Sequence, residues 1–415
     1  MKKILIIIMM VSLLLASCGT TSTSNDSLEI SSEVEFGEED YLNIVSSNNE
    51  LGFQLLAEAK RDEQGNIFIS PTSLFMALAM VFNGADGPTK EEIAKVINAN
   101  GLNPEDINKA NASLMNILSE NTEQIQLNIA NSIWLNDSYH FQEEFSSTSE
   151  DYFNAEIKEI NIEDAQSPKM INDWVKQATN GKIGEIVEEE LNPEFVTMLI
   201  NAIYFYGGWT YPFEASKTKK YDFTLEDGST KDVPLMELHE HLFYMENNLF
   251  QAVSLPYGQD ESMSMEVFLP REDVSLKEFE EMLTFENWQE WRGNFAETEG
   301  TILLPKFKLE YEVELKETLE SLGMPSAFNE NANFSKMIQE AQEIAISSVK
   351  QKTFIDVNEE GTEAAAVTSV EMETAAMQPM YDPFHMEVNR PFYLFIVDEK
   401  TDVILFMGSI KNPQE

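Results

Sequence analysis

The sequence predicts an α+β fold built on large, mostly antiparallel sheets, and three observations carry that expectation. Segments with helical apolar spacing and segments with strand-like alternation are intermixed, without regular strand–helix–strand alternation. Hydrophobic residues make up 43% and aromatics 10% of 415 residues, ample for a large core and too many for a disordered chain. From Tyr41 onward there is no long linker, low-complexity tract or internal repeat. Length alone, at roughly 150 residues per domain, suggests two or three domains.

The chain opens on an address. Met1-Lys2-Lys3 is basic, and Ile4 to Ala16 is apolar apart from Ser12. That stretch is shorter than the ~20 residues a bilayer span requires, so residues 1–18 read as a secretory signal. Leu15-Ala16-Ser17-Cys18 resembles the lipobox of prokaryotic lipoproteins, which implies that Cys18 becomes the lipidated first residue of the mature protein. The expected location is the cell envelope, held by lipid, or outside the cell. Cys18 is the sole cysteine, so neither an internal disulfide nor a thiol zinc site is available. Residues 19–40 carry eight Ser/Thr, seven acids and no Lys or Arg, the composition of an extended acidic tether.

The body then reads in order. Asn43 to Lys60 is helical through Ile44, Leu51, Leu55 and Leu56; Ile67 to Ile69 is a short strand; Ser70-Pro71 caps a helix running to about Phe82. Ile125 to Leu135 alternates as a strand, and Ser167 to Ala178 is a helix with Ile171, Trp174 and Val175 on one face. Phe195 to Tyr206 is a buried strand by its β-forming apolar run. Met263 to Leu269, Pro305 to Leu309 and Ser347 to Val357 read as strands, and Phe392 to Ile396 with Val403 to Met407 as a closing hairpin.

Charge and motifs exclude several functions. With 27 Lys+Arg against 73 Asp+Glu the formal net charge is −46. Nucleic acid is thereby excluded, since phosphates need clustered cations, and basic partners are favoured; adaptation to a salty habitat gives the same charge. His239-Glu240-His241 could be read as a metal pair, but on a strand two such histidines would simply be neighbours on one face, and no third ligand is evident. Ser347 to Lys350 has an S-x-x-K spacing without its companion motifs. No nucleophile is assembled with an oriented base, so the expected protein is not an enzyme and needs no cofactor or metal.

The informative segment is Glu359 to Met380. Read with period two, one face carries Thr362, Ala364, Ala366, Thr368, Val370 and Met372, uncharged and small at its start. The other face, with Ala365, holds every charge after Gly361, including Glu363, Glu371 and Glu373. That is a strand with one buried and one wet face. Its alanine-rich first half disfavours a permanent strand, and Gln378-Pro379 and Asp382-Pro383 read as loop.

This segment resembles the hinge of serpins, the serine-protease inhibitor family. Asn66 to Ser73 with Gly84-Ala85 resembles the serpin opening, and Ile171 to Val175 through Gly181-Lys182-Ile183 the helix that crosses the main sheet. Asn201 to Phe205 with Trp209 is similar to the central strand and its tryptophan; Asn389-Arg390-Pro391-Phe392 and Leu405 to Gly408 resemble the C-terminal signature. The resemblance implies one domain over residues 41–415, with three β-sheets, about nine helices and an exposed reactive-centre loop. It implies a hinge at Glu359, Gly361, Thr362, Glu363, Ala364, Ala365 and Ala366, and a sheet-opening region at Ser70, Ser73, Asn201, Trp209 and Gln351. Family spacing from Gly361 places the reactive bond at Ala375-Ala376. Small residues there, and no Lys or Arg from Thr353 to Asn389, imply serine proteases with a small-residue primary pocket, elastase-like or subtilisin-like, met by a monomer. One position departs from the family: Val349-Lys350-Gln351-Lys352 carries glutamine where a histidine is common. A non-inhibitory serpin, or a lipid-anchored binding module, is the rival expectation.

Overall fold

The computed structural model describes residues 30–120, 122, 124–340, 344–362 and 383–414. Nine α-helices lie among them: α1 (Val45–Glu58), α2 (Pro71–Gly84), α3 (Gly87–Val96), α4 (Pro104–Leu118), α5 (Glu143–Phe153), α6 (Ser167–Ala178), α7 (Leu276–Met282), α8 (Phe285–Arg292) and α9 (Lys316–Leu322). The strands are β1 (Ile67–Ile69), β2 (Ile125–Asn136), β3 (Glu156–Ile160), β4 (Thr197–Gly208), β5 (Lys219–Thr224), β6 (Thr230–Glu246), β7 (Phe250–Tyr257) and β8 (Met263–Pro270). They continue with β9 (Ala296–Pro305), β10 (Phe307–Glu314), β11 (Ser348–Asn358), β12 (Gly361–Thr362), β13 (Phe384–Glu387), β14 (Phe392–Asp398) and β15 (Val403–Ile410).

Six strands form one sheet in the order β10-β11-β12-β4-β2-β3. Both of its faces are covered, which is why β2 and β4 are buried almost throughout, polar residues of β2 such as Asn131 and Ser132 included. The inner face meets the main core, which continues through β14 and β15 to α1 and α2. On the outer face α6 lays Ile171 and Val175 over Trp134, Met198 and Ile200, and the Trp134 and Trp174 rings meet edge-on at 6.1 Å. Each such aliphatic side chain contributes about 1.5–3 kcal/mol on full burial. Beneath the sheet, α2 is buried nearly all round, as an apolar helix must be. Its start is fixed by Pro71 in the first turn and by the Ser70 hydroxyl, which accepts the Ser73 amide at 3.2 Å.

The other nine strands are linked in the order β1-β15-β14-β8-β7-β6-β9-β13, with β5 on β6. The expected second and third sheets are continuous here because β6 serves both. Its residues 235–244 pair with β9, and its last four, Phe243 to Glu246, pair with β7. The sequence reading gave no strand at β6, where exposed His239, His241 and Phe243 blunt the alternation. It also gave one strand at Pro305 to Leu309, where there are two: β9 ends at Pro305 and β10 begins at Phe307, in the other sheet. Of the segment 19–40, residues 30–40 lie against the body: Ile30 packs on the core, and the Ser113 hydroxyl donates to the Glu38 carbonyl at 3.0 Å. No helix among the described residues is long and apolar enough to cross a membrane.

Candidate functional site at the seam between β4 and β11

β4 and β11 run parallel and pair from Met198↔Ser348 to Ile203↔Thr353. Beyond Thr353 they part, and the two residues of β12 fill the opening. Gly361 lies between Asn358 and Gly208, and Thr362 between Val357 and Gly207, antiparallel to both strands. The turn that reaches them is closed by the Asn358 carboxamide, whose Oδ1 accepts the Glu360 amide at 3.0 Å. Gly361 is required here. Its φ is +154°, and a Cβ added to it would lie 2.1 Å from the Gly207 carbonyl oxygen.

Thr362 is 1% exposed and Gly361 is buried beside it, while the later residues of the period-two pattern lie outside the described residues. Its hydroxyl lies 2.7 Å from the Tyr257 hydroxyl. The Tyr257 ring stacks on Trp209 at 4.4 Å, and the Trp209 indole donates to the Asn358 carbonyl at 2.9 Å. Trp209 thus braces the turn from below, and its own amide donates to Glu360 O. Glu359 anchors the other side: Lys306 Nζ and the Thr218 hydroxyl donate to its carboxylate at 2.6 and 2.8 Å. Burial disfavours charge on Glu359, but the hydrogen bonds from Lys306, its own backbone and Thr218 outweigh it and hold its pKa below the usual carboxylate range.

Lower in the seam lies a buried polar cluster. Gln351 accepts the Ser70 amide at 3.0 Å and donates to Ser70 O and Asn201 Oδ1 at 2.9 and 2.7 Å. Asn201 donates in turn to Ser73 Oγ and to Asn131 Oδ1. Both strands are therefore tied to the start of α2 across the line on which they would separate. On the outer face, Lys350 and Lys352 donate at 2.8 Å to the carbonyls of Ile186 and Glu185. These bonds strap the chain that follows α6 onto β11. Lys350 is thereby accounted for, and Ser347, an odd number of strand positions away, accepts the Val196 amide instead.

Ser70, Ser73, Asn201 and Gln351 are thus brought together, while Trp209 stands at the head of the seam beside Glu359, Gly361 and Thr362. Glu363, Ala364, Ala365, Ala366, the Ala375-Ala376 bond and Cys18 lie outside the described residues. Sequence reasoning missed Tyr257 on β7, Asn131 on β2, Thr218 and Lys306 in connecting segments, and Lys352 beside Gln351 on β11; none carries a local signal of its partner. His239 contacts Thr301 Oγ1 at 3.0 Å on the face of β6.

The cluster sets a pH expectation. Gln351 and Asn201 do not titrate, and the lowered Glu359 carboxyl stays ionised through neutrality. A carboxyl with a depressed folded pKa contributes fully above its unfolded value and is lost as pH falls through the folded one. Sheet-opening rates should therefore be flat between about pH 5.5 and 8, with the Glu359–Lys306 anchor weakening only below the ordinary carboxylate value of 4.5. A step near the histidine pKa in a stopped-flow insertion assay would contradict this.

Over two residues, then, β12 enters a six-stranded sheet between β4 and β11. The chain belongs to the serpin family: the family model described as serpin (serine protease inhibitor) matches residues 46–413. A serpin-like protein of Methanosarcina acetivorans is 30% identical over 376 residues, covering 89% of this chain and 86% of that protein. Human serpin I2 is 30% identical over 375 residues, covering 89% and 91%. The native-state crystal structure of tengpin, a thermophilic serpin, superposes with a TM-score of 0.82 at 34% identity, covering 92% of this chain and 97% of that one. Human thyroxine-binding globulin in complex with thyroxine gives a TM-score of 0.79 at 25% identity, covering 91% and 98%. Serpins in general have a protease-inhibitor fold and are not catalysts.

Proposed function

We propose that this serpin is an irreversible, suicide-type inhibitor of serine proteases with a small-residue primary pocket. The observation that carries the reading is the position of Gly361–Thr362, hydrogen-bonded as a strand between β11 and β4. Continuing the same antiparallel register would set Ala364 opposite Ile355 and Phe205, and Ala366 opposite Thr353 and Ile203. Thr368 would then fall between Gln351 and Asn201. Each of these is a small residue on the uncharged face of the sequence pattern, suited to a closing gap.

In this mechanism the protease serine attacks the carbonyl of Ala375, forms an acyl-enzyme and releases the amine of Ala376. The freed segment then enters the sheet, adding ladder hydrogen bonds on both sides and carrying the protease with it. The resting protein is a kinetically held state whose strain is released by cleavage. The net charge of −46 steers cationic proteases toward it, most strongly at low salt.

Incubation with a panel of serine proteases tests the proposal. An elastase-like or subtilisin-like enzyme should form an SDS-resistant covalent complex and release a fragment beginning at Ala376. Efficient trapping of trypsin with elastase ignored would overturn the assignment. The lipobox-like Leu15-Ala16-Ser17-Cys18 supports attachment to the cell envelope through acyl chains on Cys18. Cys18→Ser should release the protein from membranes on fractionation, and continued firm association would refute the anchor.

A further inference from the structure

The resting contact at the head of the seam has an energetic consequence. In the docked position Thr362 Oγ1 and Tyr257 Oη satisfy one another at 2.7 Å, and both residues are buried. No other hydrogen bond of the Tyr257 hydroxyl is found among the described residues. The ring is held on three sides: Trp209 stacks on it, Phe205 meets it edge-on at 5.2 Å, and the β7–β8 ladder carries its backbone. Tyr257 therefore cannot swing out to follow a departing Thr362. When the hinge leaves the seam, the Tyr257 hydroxyl stays behind, its ring held by Phe205 and Trp209, and loses its partner.

We propose that Tyr257 is the positioning residue of the inhibitory cycle: a catch that sets how much of the resting protein holds its hinge in the sheet. The proposal rests on the inhibitory reading above for its significance, but not for its measurement. Docking shortens the free loop and slows capture by a protease, while giving insertion a seated first residue once the bond is cut. Undocking has the opposite effects. Tyr257 thus divides the protein between a state slow to be attacked and a state prone to be cleaved without trapping.

A double-mutant cycle tests the catch. Tyr257→Phe removes one hydroxyl and leaves Thr362 Oγ1 buried without a partner; Thr362→Val does the reverse. Each should favour undocking by about fivefold, the equivalent of one ordinary hydrogen bond. The doubly substituted protein pairs two apolar groups of nearly unchanged shape and should return close to the parent, since replacing both partners is nearly neutral. Backbone amide exchange of the peptide spanning residues 359–362 reads the equilibrium directly in full-length protein, without any protease. The single variants should exchange about fivefold faster there and the double variant at the parental rate, with other peptides unchanged.

With the target protease, Tyr257→Phe should associate several-fold faster and consume more inhibitor per protease trapped. Single-variant effects that merely add in the double variant, or no change in exchange at 359–362, would overturn the catch. If the exchange cycle closes as expected but no covalent complex ever forms, the catch stands and the inhibitory reading falls.

Discussion

Thr362→Arg should convert the protein from an inhibitor into a substrate of its target protease. Thr362 is already inside the sheet, between Val357 and Gly207, with its hydroxyl on Tyr257. The slot is shaped for a small residue: the Phe205 and Tyr257 rings press so closely on Gly207 that a Cβ there would lie 2.7 and 2.8 Å from them. An arginine must either displace these rings or bury its charge without a carboxylate, at a cost of several kcal/mol. Even about 3 kcal/mol slows insertion by over a hundredfold. Deacylation then wins, and the protease leaves active. The measurement is the stoichiometry of inhibition, which should rise from near one to a value too large to titrate while cleavage of the loop continues. Unchanged stoichiometry would refute both the register and the mechanism. Glu363→Gln, on the wet face of the pattern, should do little.

Asn201→Ala should produce the largest loss of stability among single substitutions in the seam. Asn201 is the common partner of Ser73, Asn131 and Gln351. Removing its carboxamide leaves these buried groups short of partners at about 1–3 kcal/mol each, so a loss on the order of 3–5 kcal/mol is expected. The thermal transition should fall by roughly 4–6 °C. The proposed mechanism holds the resting state kinetically, so the comparison needs one fixed scan rate. A shift under about 2 °C would mean that the cluster does not hold the strands together.

Much of this was legible in the sequence because it rests on local chemistry. Ser70-Pro71 announces the start of α2 through a cap and a fixed φ, and β1 and α6 fall where their periodicity puts them. The alternation from Thr362 onward gave the face expected to enter the sheet; Thr362 is buried, as is Gly361, and the rest of that face lies outside the described residues. β6 was not legible, because a strand with exposed Phe243 and two exposed histidines is specified by its neighbours β7 and β9 more than by its own pattern.

The chain by itself therefore determined the family and the absence of a titrating group at position 351, the first from motifs close in sequence and the second from a side chain's identity. Only the tertiary structure decided that the hinge is already seated by two residues, that Tyr257 receives it, and that Lys306 with Thr218 and Lys350 with Lys352 pin the seam from its two ends. These contacts join residues between 53 and 167 positions apart along the chain. Pairings over such separations follow from sheet register and packing, which no local periodicity encodes.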